Sequence, residues 1–102
     1  MVKIIWTDNA IQDLHEIGEY IAKDSIHYAR KTVEDLFYSA DILESHPKAG
    51  KILEELGLEE IRQLIIGNFR IIYEIIDHQR IDILTVHRTS RLLDNVLDLG
   101  DL

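Results

Sequence analysis

Five arginines, Arg62, Arg70, Arg80, Arg88 and Arg91, fall between positions 62 and 91, with His87 among them and only Glu74, Asp77 and Asp82 opposing. Guanidinium groups supply fixed positive charge and planar donor forks for anionic partners. An imidazole is the side chain that gains or loses a proton near neutral pH. The chemistry open to this set is anion binding, with His87 available as a general acid or base. The chain has no cysteine, which excludes thiolate metal sites and a disulfide framework. His15, His27, His46 and His78 are scattered without metal-ligand spacing, so no metal ion and no cofactor is expected.

The charge around this set is uneven. The 102 residues carry a net charge of −8. Residues 1–61 hold six basic and thirteen acidic side chains, net −7, and residues 92–102 hold three aspartates, net −3. The segment between them has five basic and three acidic side chains, net +2, and no lysine. A chain this acidic is a poor match for a phosphate backbone, because nucleic-acid affinity rests largely on basic contacts. With 46% apolar and 29% charged residues, the composition is that of a globular domain. Met1–Trp6 is too short and too soon polar for a signal peptide, and no apolar run nears the length of a membrane span. The expectation is a soluble cytoplasmic protein with no membrane partner.

The elements that must position the arginines follow from periodicity. Val2–Trp6 reads as a short strand. Thr7 or Asp8 can cap the helix that follows, since a side-chain oxygen there accepts from a free first-turn N–H. Ile11, Leu14, Ile17, Gly18 and Ile21 form its apolar stripe. Ser25 is a natural cap for a second helix, with the stripe Ala29, Val33, Leu36, Phe37, Ala40 and Leu43. His46-Pro47 ends it, because the residue before proline is pushed out of the helical region. The short connection predicts an antiparallel helical hairpin. Residues 48–60 read as a loop with one helical turn at Lys51–Leu56. Beyond them Ile61–Ile66, Phe69–Ile76 and Arg80–Arg88 read as strands, separated by Gly67-Asn68 and Asp77-His78-Gln79.

A two-residue loop sets the first hairpin's register. It pairs Ile66 with Phe69, Leu64 with Ile71 and Arg62 with Tyr73, and on the opposite face Ile65 with Arg70 and Gln63 with Ile72. Continuing through a three-residue turn pairs Tyr73 with Ile83 and Arg70 with Val86. One face then carries Leu64, Ile66, Phe69, Ile71, Tyr73, Ile75, Ile81 and Ile83, and covers the helices. His87 falls on that side near the sheet end, where a buried, hydrogen-bonded imidazole competes with a catalytic one. Tyr73, opposite Arg62, fills the core edge with its hydroxyl bonded. The other face carries Gln63, Arg70, Glu74, Arg80, Asp82 and Arg88 among Ile65, Ile72, Leu84 and Val86. A half-wet face with spaced arginines suits a binding surface. Its bland alternative is an ion pair of Arg70 with Glu74, worth about 0–1 kcal/mol. Trp6 and Phe37 are expected in the core, and Leu92–Leu102 as one or two helical turns. The fold class is α+β, a helical hairpin packed on an antiparallel sheet in the order β-α-α-β-β-β.

Three stretches together resemble the RelE/ParE superfamily of bacterial toxins: His46-Pro47-Lys48-Ala49-Gly50, Ile61 through Tyr73, and Ile83 through Arg91. The family's proline–glycine loop, strand-opening arginine, aromatic-Arg-x-x-Tyr strand and final His-Arg strand all occur here in order. The resemblance implies a single toxin domain over residues 1–102 with the RelE/ParE-like fold. It also implies the toxin half of a type II toxin–antitoxin (plasmid stabilisation) module, neutralised by a cognate antitoxin. A homodimer or a heterotetramer with antitoxin is compatible with it. RelE-like members cleave messenger RNA on the ribosome, and ParE-like members bind DNA gyrase.

The RelE-like branch implies a metal-independent attack of the RNA 2′-hydroxyl on the adjacent phosphate, with Arg62, Arg70, His87 and Arg91 as the catalytic set. The ParE-like branch implies target or antitoxin binding through Arg70, Arg80, Arg88 and Arg91. The sequence favours the second. Gln63 stands where a second basic residue often follows the first, and Leu92-Leu93-Asp94 follows Arg91 in place of a tyrosine. A third expectation is a degenerate member that retains antitoxin binding without toxicity.

Overall fold

The computed structural model describes residues 1–89, so Arg91 and the expected helical turns of Leu92–Leu102 lie outside the described residues. The elements are β1 (Lys3–Trp6), α1 (Asp8–Ala22), α2 (Ile26–Ser39), a 3-10 helix (Ala40–Glu44), β2 (Lys51–Ile52), β3 (Ile61–Ile66), β4 (Phe69–Asp77) and β5 (Arg80–Arg88). Two helices pack on one five-stranded sheet of order β1-β5-β4-β3-β2. The sheet is antiparallel except that β1 runs parallel to β5, with Ile4 beside Ile81 and Trp6 beside Ile83.

Local signals account for the helices. The Thr7 side chain accepts from the Ala10 N–H and the Ser25 side chain from the Tyr28 N–H, as the cap residues predict. Each such cap is worth about 1 kcal/mol. Regular α-helix ends at Ser39, and Ala40 and Leu43 of the expected stripe are buried from the 3-10 turn that follows. The expected stripe is off at two edges. Ile11 is 52% exposed while Ala10 is buried, and Phe37 is 41% exposed, stacked on Trp6 at 5.2 Å between ring centroids.

The β3–β4 register is the expected one, from Ile66 opposite Phe69 to Arg62 opposite Tyr73. Gly67, at φ +58, opens this turn in the left-handed region that a side chain disfavours. The helical turn expected over Lys51–Leu56 is confined to its end, where the Leu56 and Gly57 N–H groups donate to the Leu53 and Glu54 carbonyls. Lys51 and Ile52 pair with Gln63 and Arg62 as a short edge strand, because β3 offers unpaired backbone groups there.

The β4–β5 register corrects the expectation twice. Asp77 pairs with Arg80, so the turn is the two residues His78 and Gln79, with Ile76 extra in β4. A second shift lies farther along. Tyr73 faces Ile83 as predicted, but Ile72 faces Thr85, so Leu84 is an extra residue in β5. A bulge of this kind reverses the face of every residue beyond it. Arg70 therefore lies opposite His87, not Val86. Val86 is buried at 3% exposure on the helix side, and His87 is exposed on the outer face. Arg88 moves with Val86 to the helix side, opposite the buried Phe69. The gain is burial of a valine in place of an imidazole, which would need partners inside.

Candidate target-binding face

β1 ends at Trp6 beside Ile83, which leaves residues 84–88 of β5 without a neighbouring strand on that side. Helix α1 and its cap supply the missing partners. The Thr7 hydroxyl donates to the Ile83 carbonyl at 2.7 Å, and Asn9 Nδ2 to the Leu84 carbonyl at 3.1 Å. Asp13 Oδ2 accepts from the Val86 N–H at 3.0 Å and from the Thr85 hydroxyl at 2.5 Å. The bulged stretch thus finds partners at its open edge, although Leu84 itself has no partner on β4.

This placement brings Arg70 and His87 together as cross-strand neighbours. Arg70 is half-buried, and its Nη1 donates to Gln63 Oε1 at 3.2 Å. The alternative, an ion pair with Glu74, is not formed, and among the described residues no carboxylate pairs with Arg70. His87 Nε2 lies 3.5 Å from the Thr85 hydroxyl. Ile65, opposite Arg70 on β3, is 53% exposed. The outer face therefore presents a cation with donors to spare, an imidazole, an amide and an apolar side chain. That combination can bind an acidic or amphipathic surface.

The other predicted arginines are placed differently. Arg62 lies on the helix side of the sheet, opposite Tyr73. Its Nε donates to the Glu59 carbonyl at 3.0 Å, and its Nη1 to the carbonyls of Gly50 at 3.0 Å and Lys48 at 3.4 Å. Tyr73, fully buried, completes the same lock as expected. Its hydroxyl donates to the Pro47 carbonyl at 2.8 Å and accepts from the Gly50 N–H at 2.9 Å. Burial raises the Tyr73 pKa above its ordinary value, against the Gly50 N–H and the Arg62 charge, which favour the phenolate. Position 50 must be glycine, since a Cβ there would sit 2.6 Å from the Gln63 carbonyl oxygen and 2.8 Å from the Tyr73 ring. The family-like proline–glycine loop is thus held by the arginine and tyrosine of the neighbouring strands.

Arg80 remains on the outer face but pairs with Asp82 through two contacts of 2.8 and 3.0 Å. The Asp82 hydrogen bond, and then its charge, raise the Arg80 pKa further. Arg88 covers the rings of Tyr20 and Phe69 at 5.6 and 5.4 Å from their centroids, a cation–π arrangement on the helix side. The expected sets are therefore divided. Arg70 and His87 are together, Arg62 and Arg88 are on the opposite side, Arg80 is paired, and Arg91 lies outside the described residues.

Sequence reasoning missed Asn9 and Asp13. The spacing of buried residues in β5 carried a signal: Ile81 and Ile83 are two apart, but Val86 is three beyond Ile83. A cavity of about 800 Å³ lies elsewhere, lined by Ile42, Pro47, Ala49, Ile75 and His78. No group of three or more His, Cys, Asp or Glu among the described residues could hold a metal ion.

The comparison with known proteins agrees with this architecture. The sequence profile of the family described as the ParE toxin of type II toxin–antitoxin systems, parDE, matches residues 4–93. The chain belongs to the ParE toxin family, within the RelE/ParE superfamily. A solved chain of the chromosomal ParDE toxin–antitoxin system from P. aeruginosa shares the fold. The TM-score is 0.72 at 23% identity, over 87% of this chain and 97% of that one. Among curated proteins no relative matches the sequence.

Proposed function

We propose that the protein is a stoichiometric, ParE-like growth inhibitor. It binds a cellular protein, DNA gyrase, through the outer sheet face around Arg70, acts in the cytoplasm, and is neutralised by a cognate antitoxin. Family membership over residues 4–93 supports the toxin role. The division of the arginines supports binding over cleavage. Cleavage at a phosphate needs converging positive charge and proton-transfer groups. Of the RelE-like set, Arg62 is on the far side of the sheet with donors on carbonyl oxygens, so only Arg70 and His87 converge among the described residues. The net charge of −8 also opposes docking on ribosomal RNA.

One observation favours the second reading, a ribosome-dependent endoribonuclease. Arg70 and His87 are cross-strand neighbours, which is a minimal cation and proton-transfer pair. Induction of the chain in cells lacking an antitoxin separates the two. The gyrase reading expects DNA-damage signalling, filamentation, intact transcripts and, with purified components, inhibited supercoiling. Abrupt loss of translation with A-site-cleaved messages would replace it with the ribonuclease. Unimpaired growth would leave a non-toxic member that retains antitoxin binding.

A further inference from the structure

We propose that Asp13 is a positioning residue for the outer face: its carboxylate holds the β5 bulge and so decides that His87, not Val86, stands beside Arg70. Two registers are open to the end of β5. In the regular one, Ile71 would face Thr85 and Arg70 would face Val86, and His87 would turn toward the helices. In the observed one, Leu84 is the extra residue and Ile71 faces Val86. The bulge gives up ladder bonds at Leu84 and needs other partners for the freed backbone.

Those partners come from one side. Thr7 and Asn9 take the carbonyls of Ile83 and Leu84. The Val86 N–H just past the extra residue donates to Asp13, whose Oδ2 also accepts the Thr85 hydroxyl. Asn9 donates to the same oxygen at 3.4 Å, so one carboxylate oxygen gathers three donors from the bulge and the helix. In the regular register Thr85 would take the place of Val86 opposite Ile71, and this acceptor would lose the Val86 N–H and its present pairing with the Thr85 hydroxyl. A side chain on the first helix thus sets the identity of the sheet's outer surface. The consequence for activity rests on the target-binding reading above; the consequence for register does not.

The test is nuclear Overhauser contacts between the strands of the full chain, with amide exchange and toxicity measured alongside. In the unaltered protein the Ile71 Hα should contact the Val86 Hα. In Asp13→Ala that contact should pass to Thr85, the Val86 amide should exchange at least tenfold faster, and toxicity should fall at least tenfold. Asp13→Asn keeps an acceptor oxygen and should restore all three. Deletion of Leu84 removes the need for a bulge, so in an Asp13→Ala background it should restore the Ile71–Val86 contact. This variant also answers the case in which Asp13→Ala alone does not fold. An Ile71–Val86 contact that persists in Asp13→Ala overturns the proposal. So does a Leu84 deletion that folds with Asp13 but not without it, which would make Asp13 a stability residue only. A register switch with undiminished toxicity would uphold the role of Asp13 and remove the outer face as the target-binding surface.

Discussion

Arg62 and Arg70 are eight positions apart on adjacent strands of one hairpin, opposite Tyr73 and Ile65 respectively, yet they do opposite work. Arg62 lies on the helix side, and its donors hold the carbonyls of Lys48, Gly50 and Glu59. Arg70 lies on the outer face, with one donor on Gln63 and no carboxylate partner among the described residues. The first arginine organises the chain's own loop, and the second is open to another molecule. Residue type does not separate them. The face each occupies does, because backbone carbonyls of the Pro47–Gly50 loop are within reach on one side only.

The comparison can be broken most directly at Arg70. Arg70→Ala should abolish toxicity while leaving the thermal midpoint nearly unchanged. An interface arginine of this kind carries about 2–4 kcal/mol of binding free energy. Growth inhibition that survives the substitution would make the outer face irrelevant to the target. On the other side of the sheet the effect should be on stability. Gly50→Ala drives a methyl group to within 2.6 Å of the Gln63 carbonyl, and should cost about 1–3 kcal/mol in denaturant unfolding. An unchanged midpoint would show that the loop is not locked there.

Tyr73→Phe is milder. It leaves the Gly50 N–H and the Pro47 carbonyl without their partner, at about 1–3 kcal/mol toward the lower end, since the ring still fills the site. It also has a pH signature. The folded Tyr73 pKa is raised by burial, so above the ordinary tyrosine value the unfolded chain loses a proton that the folded chain retains. This contribution is complete below that value and is lost as pH rises through the folded pKa. Alkaline unfolding curves of the unaltered protein and Tyr73→Phe should converge in that window; parallel curves would contradict the buried hydroxyl. The smallest effect is expected at Arg80, an exposed side chain whose charge is already held by Asp82. Arg80→Ala should change neither toxicity nor thermal midpoint, and a loss of toxicity there would extend the binding face toward β1.

Much of this molecule is legible one residue at a time. Ser25 and Thr7 announce helix starts through their own hydroxyls. Gly67-Asn68 sets the first hairpin, and with it the positions of Arg62, Arg70 and Tyr73, because a two-residue turn leaves one register. The second hairpin is not legible in this way. Its alternation holds from Ile81 to Ile83 and then breaks, and the turn residues His78 and Gln79 say nothing about an insertion farther along the strand. Two sites outside the pattern were invisible for the same reason: Asn9 and Asp13 sit on a helix, and their partners are seventy or more positions away.

By itself the order of residues determined the helical hairpin, the first strand pair, the buried Tyr73 and an arginine on the outer face at position 70, since each depends on neighbours within a few positions or across one tight turn. Only the tertiary structure decided which residues accompany Arg70. That choice turns on whether the backbone freed by the bulge at Leu84 finds partners, and those partners are side chains of the first helix and its cap, brought to the bare edge of β5 where β1 ends.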